Sequence, residues 1–160
     1  MKTTSISGIK KELQSMLIED VVDLCLHIIK FKKENKELAH YLLFETNNEL
    51  EYINSAKEEI DEALNQTNTS SFYLAKKSIR RGLRIADKYI KLSGKAETEI
   101  ELLIFYCNGI NNTKMDWRKS KVLLNLYLRV LNRIEKCFAS LHEDLQFEYR
   151  PVLDELRKSV

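Results

Sequence analysis

Apolar residues recur along most of the chain at intervals of three or four positions, which is the spacing of one face of an α-helix. Only four glycines and one proline interrupt the chain, too few for the many tight turns of an all-β fold. The pattern predicts an all-α protein, built as an irregular antiparallel helical bundle or a short α-α superhelix of six to seven helices. The clearest apolar face comprises Leu123, Leu126, Tyr127, Val130, Ile134, Cys137, Phe138 and Leu141.

Capping and turn residues mark where the helices begin and end. Serine and asparagine precede several apolar stretches, and glycine or a polar run follows them. The first three predicted helices span Ser7 to about Leu17, about Asp20 to Lys33, and Asn35 to Leu64 with a bend at Asn47 and Asn48. The fourth contains Phe72 and ends near Gly94, the fifth spans Lys95 to Asn108 before Gly109, and the sixth spans Thr113 to about Leu141. A short last helix begins at Pro151.

Two segments are apolar on most sides and should therefore be enclosed by other helices. In "AHYLLF" the residues Tyr41 to Phe44 are consecutive, so they point all round a helix, and "IELLIFYC" has the same character further along. We predict that these two segments form the centre of the fold and that Leu42 is fully buried. The length of 160 residues predicts a single helical domain over residues 1–160.

Composition excludes several classes of protein. Hydrophobic residues at 44% and charged residues at 31% favour a folded globular chain over a disordered one. The start, "MKTTSISGIKKELQ", does not resemble a secretory signal, and no apolar run reaches the roughly 20 residues that span a bilayer.

Cys25, Cys107 and Cys137 are odd in number and lie among aliphatic neighbours. They predict reduced thiols in the core of a cytoplasmic protein, with no disulfide or zinc framework and no membrane partner.

Part of the chain resembles a known family. The segment "KFKKENKELAHYLLFE", Lys30 to Glu45, and the basic segment "AKKSIRRGLR" are similar to segments that recur in a family of small all-helical bacterial proteins of unknown activity. The likeness covers roughly residues 20 to 107. It implies a helical domain, and it brings no catalytic residue that could be transferred to this chain.

Patterns typical of catalytic chemistry are incomplete. Glu37 and His40 have the spacing of ligands in di-iron helical bundles, but the second such pair is missing. Glu58, Glu59 and Glu62 match half of the acidic pattern of helical nucleotide pyrophosphohydrolases, which leaves a magnesium-dependent nucleotide hydrolase as an alternative. No nucleophile motif or phosphate-binding glycine loop is present. The sequence therefore predicts no catalytic residue, no metal, no cofactor and no enzyme.

The stretch "KKSIRRGLRIADKYIK", residues 76–91, carries the most concentrated charge in a chain with a formal net charge of only +2. At about 100° per residue, an apolar stripe faces one way and the cations face the other. No aromatic residue is expected to interleave with these cations, and Tyr89 lies on the flank. We call this predicted solvent-facing surface the basic ridge: Lys77, Arg80, Arg81, Arg84, Lys88 and Lys91.

Three explanations of the basic ridge stay open. It is a solvated face paired with the acidic helix from Glu45 to Glu62, a track for nucleic-acid phosphates, or a docking surface for a protein. Further cations on the helix after Thr113 extend the second explanation; they are Arg118, Lys121, Arg129, Arg133 and Lys136. A pI near 8.3 is low for a nucleic-acid-binding domain. The sequence therefore favours a non-enzymatic binding or adaptor domain with a protein partner, and nucleic-acid backbone binding is the alternative.

Overall fold

The computed structural model describes residues 2–68 and 70–160, and these residues form helices without any strand. The predicted all-α helical bundle is confirmed, with eight α-helices among the described residues in place of six to seven. A π-helical turn, Tyr41–Glu45, and a 3₁₀ turn, Trp117–Lys119, complete the described elements. The α-helices are α1 (Ile6–Ser15), α2 (Ile18–Phe31), α3 (Lys33–His40), α4 (Glu49–Asn65), α5 (Phe72–Ser93), α6 (Ala96–Asn111), α7 (Lys121–Ser140) and α8 (Glu143–Lys158).

Contacts between Cα atoms divide the chain into two units, the first ending at Phe44 and the second running from Glu45 to Val160. The first unit contains α1, α2 and α3. Within it, α2 packs against α3, and the side-chain amide of Asn35 donates to the carbonyl oxygen of Ile28 at 2.7 Å. None of its three α-helices contains a buried residue. The single domain predicted for residues 1–160 stays a prediction.

The second unit is organised around α6. Helices α4 and α5 form an antiparallel pair, in which the Tyr52 hydroxyl donates to the carbonyl oxygen of Tyr89 at 3.0 Å. Both helices pack on α6, as do α7 and α8. The apolar segment "IELLIFYC" lies in α6, and Leu102, Leu103 and Tyr106 have no exposed surface. This segment is therefore at the centre of the core, as the sequence predicts.

The prediction that "AHYLLF" forms a second centre is wrong. Tyr41 is buried, but Leu42 is 56% exposed, and Leu43 and Phe44 are also exposed. The run lies in the π-helical turn, and a new helix begins soon afterwards because the side chain of Asn48 accepts a hydrogen bond from the backbone N–H of Glu51 at 3.4 Å. An apolar run indicates that its side chains favour burial, but three of the four side chains in this run are exposed.

Glycine and proline mark helix ends less reliably than predicted. Gly94 does end α5, with a φ of 66° that favours glycine. Gly109, in contrast, lies inside α6, where a Cβ atom would overlap the side chain of Leu64 on α4, so glycine there permits a close approach of two helices. Pro151 lies inside α8, which begins at Glu143, with the ring of His142 accepting from the N–H of Asp144.

The three thiols occupy two different environments. Cys107 and Cys137 are buried, as predicted, and burial raises the pKa of the Cys137 thiol to about 11 and that of Cys107 further still. Cys25 is exposed on α2, so the prediction that it belongs to the core is wrong. Its aliphatic neighbours on α2 are themselves exposed, and they gave a false indication of burial.

Candidate binding groove between α5 and α7

Helix α5 holds the basic ridge in place because its two ends and its opposite face are fixed. The hydroxyl of Ser71 accepts from the N–H of Tyr73 at 3.2 Å at the first turn, and Gly94 ends the helix. On the apolar side, Ile79 and Ala86 have no exposed surface. The helix therefore cannot rotate without exposing its apolar stripe, and the ridge stays turned toward solvent.

All six residues of the basic ridge are exposed, which confirms the predicted orientation. From Lys77 to Lys91 the ridge extends for about 21 Å at 1.5 Å per residue. Arg81 donates to the side-chain carbonyl of Gln66 at 2.9 Å. Within residues 2–68 and 70–160, four ridge cations form no ion pair with a carboxylate: Lys77, Arg80, Arg84 and Lys91.

The ridge forms one wall of a groove whose other wall is α7. The groove has a volume of about 520 Å³ and contains both cationic and apolar side chains. Arg129 approaches from α7, while Leu83 and Leu126 contribute the apolar part of the lining. A site of this kind attracts anionic groups and also covers apolar ones. The full lining is Tyr73, Lys76, Lys77, Arg80, Leu83, Arg84, Asp87, Leu126 and Arg129.

The one carboxylate in the groove lining is already paired with an arginine. Asp87 accepts a hydrogen bond from Arg133 of α7, and the same guanidinium donates to Glu99 of α6. These two bonds raise the pKa of Arg133 against the opposing effect of burial. Arg133 thus ties α5, α6 and α7 together and offsets part of the negative charge of Asp87. The remaining cations of the groove dominate its local field.

An aromatic side chain that the sequence analysis did not consider lies at the N-terminal end of the basic ridge. Tyr73 is 75% exposed and lines the groove, and the Lys76 ammonium group lies 5.6 Å from the centre of its ring. Tyr73 belongs to the first turn of α5 and precedes the stretch from Lys76 to Lys91. The helical projection of the ridge needed only one more turn in the N-terminal direction to include it, so the sequence did contain an indication of this residue.

The acidic helix uses its carboxylates elsewhere. Glu49 of α4 pairs with Lys95 at 2.6 Å, and Glu59 accepts from the hydroxyl of Tyr89 at 2.6 Å. Lys57 of the same helix pairs with Glu101 of α6, also at 2.6 Å. Tyr89 is on the flank of α5, where the ammonium group of Lys88 lies 5.9 Å from the centre of its ring. The described contacts of α4 therefore leave the charge of Arg80 and Arg84 available to a ligand.

The residues considered for catalysis are not gathered around one point. Glu37 pairs with Lys33 at 3.7 Å, and the ring of His40 packs against Phe44 with 5.2 Å between centroids. The acidic residues that match half of the hydrolase pattern, Glu58, Glu59 and Glu62, are exposed along α4. Across residues 2–68 and 70–160, no three His, Cys, Asp or Glu side chains lie close enough together to hold a metal ion.

Comparisons with known proteins leave the groove to be interpreted from its own geometry. No protein-family model, curated protein or solved structure matches this chain. The resemblance to a family of small helical bacterial proteins stays a prediction. Of the helices in the described ranges, none has the length and apolar character needed to cross a bilayer.

Proposed function

We propose that this protein is a non-enzymatic binding module and that its groove between α5 and α7 takes an acidic, amphipathic segment of a partner protein. The observation that supports this function is the combination of cationic walls with an apolar lining. Arg84 and Arg129 face the groove from its two helices, and Leu83 belongs to the same lining. Guanidinium groups bind carboxylates through paired hydrogen bonds, and apolar grooves between helices receive the apolar face of a partner helix.

Nucleic-acid backbone binding through the basic ridge on residues 76–91 is the second candidate. Its support is the length of the ridge, about 21 Å, and the exposed ring of Tyr73, on which a base could stack. A phosphate backbone, however, offers no apolar group to cover Leu83, which is partly exposed in the groove lining, whereas Leu126 is already buried. An amphipathic protein segment satisfies both parts of the groove, so it is the first candidate.

A selection from a displayed peptide library tests the proposal. We expect the wild-type chain to enrich peptides in which Asp or Glu alternates with Leu, Ile or Phe at helical spacing. A variant with Arg80, Arg84 and Arg129 replaced by Gln should lose this enrichment. A matched variant, with Lys10, Lys114 and Lys158 replaced by Gln, loses the same number of exposed positive charges outside the groove and should keep it.

The outcomes separate the two candidates. If the wild type enriches no acidic amphipathic peptide, or if both variants lose the enrichment equally, the protein-binding proposal is wrong. If single-stranded oligothymidylate binds instead, with log affinity falling against log salt at a slope of about −3 to −4 for five phosphate contacts, the ridge is a nucleic-acid track. The groove variant would then lower this slope, and the matched variant would leave it unchanged.

A further inference from the structure

Exposed apolar side chains are concentrated in the first unit. Fourteen large hydrophobic residues are exposed between residues 2 and 44, against eight among the described residues from 45 to 160, although the second span is more than twice as long. Exposed apolar patches of more than a few hundred Å² mark interaction surfaces on folded proteins. Phe31 is 73% exposed, and Ile18 and Leu17 are each 69% exposed, so the exposed apolar side chains include those of α2 and of the residue that precedes it.

Helix α2 has an apolar face wider than its neighbour covers. At about 100° per residue, its polar side chains fall within about 100°, and its apolar side chains occupy the remaining arc of roughly 220°. Helix α3 packs against α2, and Val21 and Ile29 are half-buried, but Val22 and Ile28 are each 50% exposed. The polar side chains of α2 are Glu19, Asp20, Asp23, His27 and Lys30. The wide apolar arc therefore has room for a second helix.

The charges of α2 are ordered along its length. The three acidic residues lie in its first half, whereas the cations Lys30, Lys32 and Lys33 lie in or just after its last turn. A copy of α2 that runs in the opposite direction places its cationic end beside the acidic end of the first, at both ends of the pair. A parallel copy places like charges together. We propose that the apolar face of α2 is a self-association surface, on which α2 of a second copy of this chain lies antiparallel.

A second copy fits this face better than a membrane does. Helices that lie in a membrane surface carry Lys and Arg on the polar face, where these groups meet anionic headgroups. The polar face of α2 carries three carboxylates and one lysine, so anionic headgroups repel it. A two-fold pair also matches the usual symmetry of homodimers, in which one patch contacts itself. The charge order of α2 is complementary to itself only in the antiparallel arrangement.

The proposed geometry makes a distance prediction. Cys25 lies at the middle of α2 and on its apolar arc, so a two-fold axis near the centre of the helix brings the two copies of Cys25 close together. Ile18 lies seven residues away, so its two copies are about 21 Å apart along the helix axis in an antiparallel pair. In a parallel pair, both positions are equally close to their own copies.

Sedimentation of matched variants tests the self-association. Phe31 on α2 and Phe147 on α8 are 73% and 82% exposed, so the same substitution at each site changes hydrophobicity equally while only one lies on the proposed face. We expect the wild type to form a dimer. The Phe31→Asp variant should have a dimer dissociation constant raised at least about 30-fold. The Phe147→Asp variant should dimerise like the wild type. Leu26→Glu, at a second exposed position on the arc, should act like Phe31→Asp if the latter folds poorly by circular dichroism.

Spin labels test the orientation. A label on Cys25 should give a short distance between copies, and a label on Ile18→Cys in a Cys25→Ser chain should give one longer by about 20 Å. The buried thiols of Cys107 and Cys137 react slowly and stay unlabelled. Short distances at both positions overturn the antiparallel arrangement. A wild type that stays monomeric at about 100 μM, equal dimerisation of Phe31→Asp and Phe147→Asp, or a monomer that binds anionic lipid vesicles through α2 overturns the proposal itself.

Discussion

Replacing Leu103 by Ala should destabilise the protein far more than replacing Leu42, although both lie in runs that are apolar on most sides. Leu103 has no exposed surface and lies at the centre of α6, so its truncation removes buried methyl groups and leaves a cavity. Changes of this kind cost about 2 to 5 kcal/mol. Leu42 is 56% exposed. Complete burial of a leucine is worth about 1.5 to 3 kcal/mol, and less than half of this side chain is covered, so Leu42→Ala should cost below about 1 kcal/mol.

Urea denaturation measures both values. The single tryptophan, Trp117, is buried and stacks on Tyr127 with 4.5 Å between ring centroids, so its emission reports on the packing of residues 45–160. Far-UV circular dichroism follows the helices of both units. Leu128→Ala, at an exposed position of α7, is the matched control and should resemble Leu42→Ala. A loss above about 2 kcal/mol for Leu42→Ala, or below about 1 kcal/mol for Leu103→Ala, would refute the assignment of the core to α6.

Three further predictions follow from individual contacts. Burial raises the pKa of Glu101, but hydrogen bonds from Lys57 and Tyr149 outweigh it and hold the pKa below the ordinary value of 4.5. The depressed pKa of Glu101 stabilises the fold above pH 4.5, and this stabilisation is lost as the pH falls through the lowered pKa. Glu101→Gln should therefore flatten the loss of stability between about pH 5 and pH 3, as measured by urea denaturation at each pH. An unchanged dependence of stability on pH would contradict this. Arg133→Met should lower the free energy of unfolding by about 1 to 2 kcal/mol because it leaves two carboxylates unpaired, and Asp87→Asn should recover part of this loss; no recovery would show that the pairing contributes nothing. In the folded protein, Ellman's reagent should titrate one thiol rapidly, and Cys25→Ser should abolish that phase; a fast phase that survives would place a buried thiol within reach of solvent.

The helical periodicity of the sequence predicts most of the second unit because each apolar stripe there has a partner. The stripe of α5, the broad face of α7 and the run in α6 are all buried against one another, so a local pattern and the tertiary packing agree. The same pattern fails in the first unit. There Leu42, Leu43 and Cys25 lie among apolar neighbours and remain exposed. The pattern shows which side chains favour burial, but it does not show which part of the protein packs against them.

The candidate groove could be predicted only in part. The helical projection gives the direction of the basic ridge, since charge and apolar character separate on one helix. It cannot show that Arg129, some fifty positions after Arg80, faces the same groove, because the path of the chain through α6 decides which faces become neighbours. Nor can it show that Arg133 pairs with Asp87 from another helix. Contacts between distant residues complete the site, and sequence spacing carries no information about them.

Fluorescence anisotropy of three labelled probes tests the proposed function most directly. The first is a helical peptide of glutamate and leucine with an apolar face, the second has each leucine replaced by serine at unchanged charge, and the third is oligothymidylate. We expect the first peptide to bind at least about tenfold more tightly than the second. The variant with Gln at Arg80, Arg84 and Arg129 should lose this binding. The matched variant with Gln at Lys10, Lys114 and Lys158 should keep it. Equal affinity for the two peptides, or binding of oligothymidylate alone, would contradict recognition of an amphipathic protein segment.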